Sequence, residues 1–238
     1  LLAQEVEKLV VLAADRYVVQ LLDVGWEASP PYFVMDYIER GSLEEKLAHG
    51  SVMSASEATE LFTEIATGMM HLHGKGILHC DLKPGNVLLD RSGKPRLADF
   101  GQARLETDET ASLGTLFFMA PEQANTQAVP GQRWDVYSLG ALFYCMLTGE
   151  PPYYDSQLAE SIQSMDGIQN RLETYRRALQ SAARPVGHRQ IAGVDRGLAE
   201  IIDRCIAVDP KARYGSIQDV LFALRQRELV KARQPLLV

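Results

Sequence analysis

The sequence predicts an α+β chain in which a small strand-bearing N-terminal part precedes a mainly helical body, with a loop-rich stretch over 77–122 between helices. Three observations carry this expectation. The runs 18–24 and 32–38 are rich in β-branched and aromatic residues, as strands are. Apolar residues recur at helical spacing over 54–74 and again from Asp135 onward. Between these helical stretches lie short apolar runs separated by polar, glycine- and proline-bearing segments.

Val6, Leu9, Val10 and Ala13 share one face of a first helix, with Glu5, Glu7 and Lys8 on the other. The two strand runs are joined by Ser29-Pro30-Pro31, which reads as the turn of a hairpin. Ser54 with Glu57 is a capping-box signature, and Ala58, Leu61, Phe62, Ile65, Met69 and Leu72 then mark the buried face of a long helix ending near Gly74. Residues 77–78, 87–89 and 96–98 are candidate short strands. From Asp135 through Met146 the chain is apolar on nearly every side, the pattern of a helix buried at the centre of a domain. Residues 195–206 place Leu198, Ile201, Ile202, Cys205 and Ile206 on one face, and Ser216 with Asp219 caps a last helix that turns Ile217, Val220, Leu221 and Leu224 inward.

At 238 residues, 46% hydrophobic and 23% charged, the chain can bury a sizeable core. Its net charge of −7 argues against nucleic acid or an anionic membrane as the first partner. Cys80, Cys145 and Cys205 are odd in number and widely spaced, which fits a reducing cytoplasm better than a disulfide framework or paired zinc ligands. The apolar run 139–147 is about half the ~20 residues that span a bilayer. The chain opens on Leu1-Leu2-Ala3, without an initiator methionine or the layout of a signal peptide, and so reads as a piece of a longer protein.

The chemistry concentrates in the loop-rich stretch. Residues 79–90 read H-C-D-L-K-P-G-N-V-L-L-D and residues 99–101 read D-F-G. An acid, a lysine and an amide thus fall within six residues, and a second acid follows eighteen residues after the first. Carboxylate and amide oxygens are hard ligands suited to magnesium, which relies on phosphate for the rest of its shell. A lysine supplies a cation for charge that moves during transfer. The pattern fits a site for a phosphorylated, metal-chelated substrate.

At these residues the chain resembles the protein kinase family. H-C-D-L-K-P-G-N is similar to the catalytic loop, D-F-G to the metal-binding turn, Ala120-Pro121-Glu122 to the end of the activation segment, and W-D-V-Y-S-L-G (134–140) to the start of the central helix. Asp209-Pro210 with Arg213-Tyr214 resembles the closing motif of the large lobe, and all five occur in the family's order. The resemblance implies a two-lobed kinase fold, with 1–38 a partial N-terminal lobe and 39–238 a complete, mainly helical C-terminal lobe. It further implies transfer of the γ-phosphoryl of ATP, with Mg2+, to a serine or threonine hydroxyl of a protein substrate.

Position by position, Asp81 resembles the aspartate that accepts the hydroxyl proton, and Lys83 the lysine at the transferring phosphate. Lys83 also points to serine or threonine as acceptor, since tyrosine kinases carry a variant loop with arginine. Asn86 and Asp99 resemble the magnesium ligands. Met35 would guard the back of the adenine pocket, Asp36, Tyr37 and Ile38 would link the lobes, and Leu88 would lie beneath the adenine. Glu122 with Arg213 resembles a buried ion pair, and Asp135 the acid that receives catalytic-loop N–H groups. Thr115 resembles a threonine that contacts Asp81 and Lys83. His79 resembles the loop histidine that packs under Phe100, a reading preferred to a zinc site with His71, His73 and Cys80.

Two departures stand out. Cys80 replaces the arginine that most members carry beside the catalytic aspartate, so phosphate on Thr107, Thr110 or Ser112 would lack its usual anchor, with Arg104 the one cation of that segment left to replace it. Activity is therefore expected to depend little on phosphorylation there. The glycine-rich loop and the lysine strand do not occur in this sequence. The glutamate that pairs with such a lysine would be Glu5, with Glu7 the alternative, and the chain by itself is expected to be a poor enzyme. Motif wording such as D-L-K-P-G-N-V-L-L and A-P-E-Q resembles bacterial members, often cytoplasmic domains attached to sensor segments. A non-catalytic scaffold and a small-molecule kinase are the rival readings. Arg171, Arg176, Arg177 and Arg184, in a long connection over 155–193, either dock acidic substrates or form a solvated face.

Overall fold

Side-chain caps from serine and aspartate open four of the helices in the computed structural model, which describes residue 12 and residues 15–48, 51–99 and 116–233. The first helix of the sequence reading, Glu5 and Glu7 with it, lies outside these residues apart from the buried Leu12. Strands β1 (Leu21–Gly25) and β2 (Tyr32–Met35) form an antiparallel hairpin pairing Leu21 with Met35 and Gly25 with Tyr32. Both are shorter than the sequence runs. Val18 instead bridges to Leu97, and residues beyond Met35 leave the ladder for the linker. The hairpin exposes Leu22, Trp26, Tyr32 and Val34.

Helix α1 (Leu43–Leu47) is capped by Ser42, whose Oγ accepts from the Glu45 N–H at 3.2 Å. Helix α2 (Ala55–Gly74) opens on the expected capping box: Ser54 Oγ accepts from the Glu57 N–H and Glu57 accepts from the Ser54 N–H. Its predicted apolar face is buried, and Phe62 stacks on Phe143 with ring centroids 4.2 Å apart. Residues 77–78, expected as a strand, are irregular. They carry the chain straight from the end of α2 into the loop beneath Asp135, and the Ile77 N–H is spent on the Leu72 carbonyl rather than on a sheet.

Strands β3 (Val87–Leu89) and β4 (Pro95–Leu97) pair antiparallel through a turn organised by Asp90. Burial alone pushes the Asp90 carboxyl up. Hydrogen bonds from Ser92 Oγ, the Lys94 N–H, Arg96 and the Ser92 N–H outweigh it and hold the group at about 2. A carboxyl lowered from its ordinary value stabilises the fold fully above about pH 4, and that contribution is lost as the pH falls through about 2. Asp90→Asn is therefore expected to lower Tm at neutral pH, with the gap from wild type closing between pH 4 and pH 2. A gap independent of pH in thermal melts would show that the charge of Asp90 does not hold this turn.

Helix α3 (Gln132–Thr148) is buried over residues 134–147, as its all-round apolarity predicts. It lies across α2 and across α6 (Arg196–Cys205), and the last helix, α7 (Ile217–Arg233), packs on α2 and α6. Gly140 permits the close crossing with α6, since a Cβ there would sit 2.4 Å from Cys205 Cβ. Gly149 ends α3 in a left-handed conformation at φ 88°, the usual glycine stop. Burial pushes the thiols of Cys145 and Cys205 up to about 12, so both behave as core residues.

The connection 155–193 is not an open loop. It folds into α4 (Ser156–Gln163) and α5 (Ile168–Ser181), whose apolar stripes Ala159/Ile162 and Leu172/Tyr175/Leu179 were masked in the sequence by the surrounding charge. Arg176 and Arg177 both pair with Glu173, Arg184 and Arg189 with Asp203, and Arg171 donates to the Met165 carbonyl. This matching of charges favours the solvated-face reading over an acidic docking site. No helix among the described residues is long and apolar enough to cross a membrane.

Candidate active site

The site is built at the meeting point of α2, α3 and the β3–β4 hairpin. Asp135, fully buried in the first turn of α3, accepts the His79 N–H at Oδ2 (2.9 Å) and the Cys80 N–H at Oδ1 (2.8 Å). His73 Nε2 lies 2.7 Å from the same Oδ2. Asp135 therefore holds the entry to the catalytic-like loop from below, as expected. His73, weighed in the sequence only as a zinc ligand, belongs to this support. His71 turns away and packs on the Tyr17 ring.

His79 is completely buried, and desolvation pushes its pKa down although the charges of Asp135, Asp81 and Asp99 act the other way. A neutral imidazole suits its geometry, since Nδ1 accepts the Asp81 N–H at 3.4 Å. Cys80 is held at φ 63° and Asp99 at φ 57°, left-handed backbone that costs a non-glycine residue roughly 1–3 kcal/mol and clusters at functional sites. Phe100, under which His79 was expected to pack, lies outside the described residues, as do Arg104, Thr107, Thr110, Ser112 and Thr115.

Asp81, Lys83 and Asn86 form one constellation. Lys83 Nζ is 3.0 Å from Asp81 Oδ2, and Asn86 Nδ2 donates to that same oxygen (3.0 Å) and to the Asp81 carbonyl (2.8 Å). The loop closes so tightly because Pro84-Gly85-Asn86 makes a single 3₁₀ turn, with the Asn86 N–H on the Lys83 carbonyl. The β3–β4 ladder delivers the last member: the Ala98 N–H donates to the Asn86 carbonyl at 3.0 Å, so Asp99 emerges, solvent-exposed, beside Asn86. Because the Asn86 amide nitrogen is committed to Asp81, its oxygen is the end left to face a cation. An amide oxygen and an exposed carboxylate are the hard donors that a magnesium ion accepts.

Met35 ends β2 with its side chain packed against the core, and the Asp36 N–H ties the start of the linker to the Gln20 carbonyl at 2.9 Å. Asp36 and Tyr37 are exposed and Ile38 is half-buried. Leu88 bridges to Ser42, while the Leu89 N–H donates to the Gly41 carbonyl, which brings Leu88 next to the end of the linker. Residues 17–19 pair with Leu97, two positions before Asp99. These backbone contacts gather the linker, β3 and β4 around one cleft edge.

Two supports were visible by motif. Arg213, fully buried, makes a bidentate pair with Glu122 (2.7 and 2.8 Å) and donates also to the carbonyls of Ala207, Arg133 and Val208. One residue on, Gln123 was not singled out. Its Nε2 donates to the Cys80 carbonyl at 2.7 Å. An amide closing the otherwise apolar run 116–121 beside Glu122 was the signal for it.

The comparisons with known proteins agree with this geometry. The family model for the protein kinase domain matches residues 2–223, and the chain belongs to the protein kinase family. It is 29% identical over 208 residues to the serine/threonine-protein kinase PrkC of Bacillus subtilis, covering 85% of this chain and 30% of that protein. It is 35% identical over 140 residues to PknB of Mycobacterium leprae, covering 56% and 22% respectively. CBL-interacting protein kinase 21 of Oryza sativa is 31% identical over 173 residues, covering 70% and 30%. The chain thus spans about a third or less of the length of these relatives. The fold is the kinase fold, with a helical large lobe and, among the described residues, a two-stranded part of the small lobe. Membership implies ATP as a ligand and generally a divalent metal.

Proposed function

We propose that this chain carries a serine/threonine protein kinase, with residues 1–38 in the small lobe and 39–238 in the large lobe. The observation that carries the reading is the joint contact of Lys83 Nζ and Asn86 Nδ2 on Asp81 Oδ2, with Asp99 delivered beside Asn86 by the hairpin. A binding scaffold has no physical need for all four groups in this arrangement. The relatives' names, serine/threonine-protein kinases among them, support the acceptor class.

In this reading Asp81 accepts the proton of a serine or threonine hydroxyl while that oxygen bonds to the γ-phosphorus and the bond to the β,γ-bridging oxygen breaks, releasing ADP. Lys83 balances negative charge on the moving phosphoryl group. Met35 and Ile38 with the backbone of Asp36 would line the adenine side, and Leu88 its floor. Asn86 and Asp99 would hold Mg2+, which supplies positive charge to the phosphate oxygens when bound. Glu5 is the proposed partner of a phosphate-binding lysine.

Asp99→Asn tests the metal role. With one of few hard ligands neutralised, nucleotide affinity in the presence of Mg2+ is expected to fall at least about tenfold, while affinity in EDTA changes little. Equal losses in both titrations would remove Asp99 from the metal site. Nucleotide binding by a complete kinase domain carrying this chain, without transfer of label to any protein, would favour the scaffold reading.

A further inference from the structure

We propose that Gln123 is a positioning residue for phosphoryl transfer, holding the Cys80 carbonyl and through it the place of Asp81. The inference rests on the reading of Asp81 as the proton acceptor. The peptide that joins Cys80 to Asp81 is gripped at both ends: its carbonyl accepts from Gln123 Nε2 at 2.7 Å, and its N–H donates to His79 Nδ1 at 3.4 Å. A planar peptide with both polar ends held leaves the Asp81 Cα little freedom. Asp135 holds the two preceding N–H groups, so two side chains from distant parts of the chain, Asp135 and Gln123, join the local His79 in defining this one turn.

The turn needs such over-determination because Cys80 sits in left-handed backbone, at φ 63°. Released from Gln123, the Cys80 carbonyl would be a buried acceptor without that donor, and relaxation of Cys80 toward ordinary backbone would swing the Asp81 carboxylate. The orientation of the Gln123 amide is itself dictated. It is buried, and turning it over would set two oxygens face to face. Its Oε1 has no partner among the described residues, so nothing else competes for its alignment. Gln123 directly follows Glu122, which Arg213 fixes, so the stretch that ends in Ala120-Pro121-Glu122 is mechanically tied to the loop bearing Asp81. This tie is neutral and needs no phosphate.

Two variants, made in a complete kinase domain carrying this chain, test the proposal. Gln123→Met keeps size and removes the donor. It is expected to lower kcat by about tenfold with KM for ATP within about twofold, the pattern of a lost transition-state alignment. Hydrogen exchange should quicken at residues 79–83 and stay unchanged within α3. Gln123→Glu places a second acceptor against the carbonyl at pH 8, and on protonation recovers an O–H donor. Its kcat relative to wild type should therefore rise as the pH falls from 8 to 6. A fixed ratio across pH, or unaltered kcat and exchange in Gln123→Met, would overturn the role, and so would faster exchange throughout the domain. If a complete kinase domain carrying this chain transfers no phosphate, the functional reading fails by itself, and local exchange at 79–83 still decides whether Gln123 holds the loop.

Discussion

Asp81→Asn in the complete domain is expected to lower phosphoryl transfer to a generic protein substrate by about 10²–10⁴-fold, the range a positioned general base supplies. Nucleotide affinity should remain within a few-fold of wild type. The asparagine oxygen can still accept from Lys83 Nζ and Asn86 Nδ2, which lie 3.0 Å from Oδ2 in the native loop. The loss is therefore chemical, because the amide cannot take a proton. Radiolabel transfer from γ-labelled ATP, paired with nucleotide titration and a thermal melt, separates the two effects. Near-normal transfer by this variant would sink the assignment of Asp81, and an equal collapse of Tm would assign the residue to folding.

The largest expected effect on stability is that of Glu122→Gln. The Arg213 guanidinium is wholly buried and stacks 4.9 Å over the Tyr137 ring, so neutralising Glu122 strands a cation that three backbone carbonyls solvate only in part. Breaking a buried pair from one side typically costs about 3–5 kcal/mol. Because Glu122 keeps some exposure, the lower end, about 3 kcal/mol, is expected here. For a domain of this size that corresponds to a fall in Tm of roughly 6–12 °C. Arg213→Lys should not rescue the site, since an ammonium cannot reproduce the forked contact. Combining Glu122→Met with Arg213→Met should recover part of the loss, and a double-mutant cycle measures the coupling. A change of under about 2 °C for Glu122→Gln would show that the pair contributes little.

Helix α3 was legible in the sequence because a helix buried on all sides needs apolar residues on all sides, and 134–147 has them. The capping box of α2 and the inward faces of α2, α6 and α7 were legible for a similar reason: the relevant partners lie within one or two turns. Helices α4 and α5 were not. Their stripes are narrow and charged residues interrupt them, so only packing against neighbours separates their buried positions from a solvated loop. Residues 77–78 failed in the opposite sense, since two apolar residues suggest a strand only if a partner strand exists, and here none is offered.

For the candidate site, the sequence alone determined which groups are available: Asp81, Lys83, Asn86 and Asp99 stand in motifs whose spacing is local. What only the tertiary structure decided is how they are held. Asp135 lies 55 and 56 residues from its two N–H donors, and Gln123 reaches Cys80 across 43. A hydrogen bond is set by distances of about 3 Å and by direction, and neither has a signature in residue order once the partners are far apart in the chain. Spacing can encode a turn or a helix face; the left-handed Cys80 meets the Asp135 and Gln123 side chains that hold it only once α3 and the end of the activation-like segment have packed against the loop.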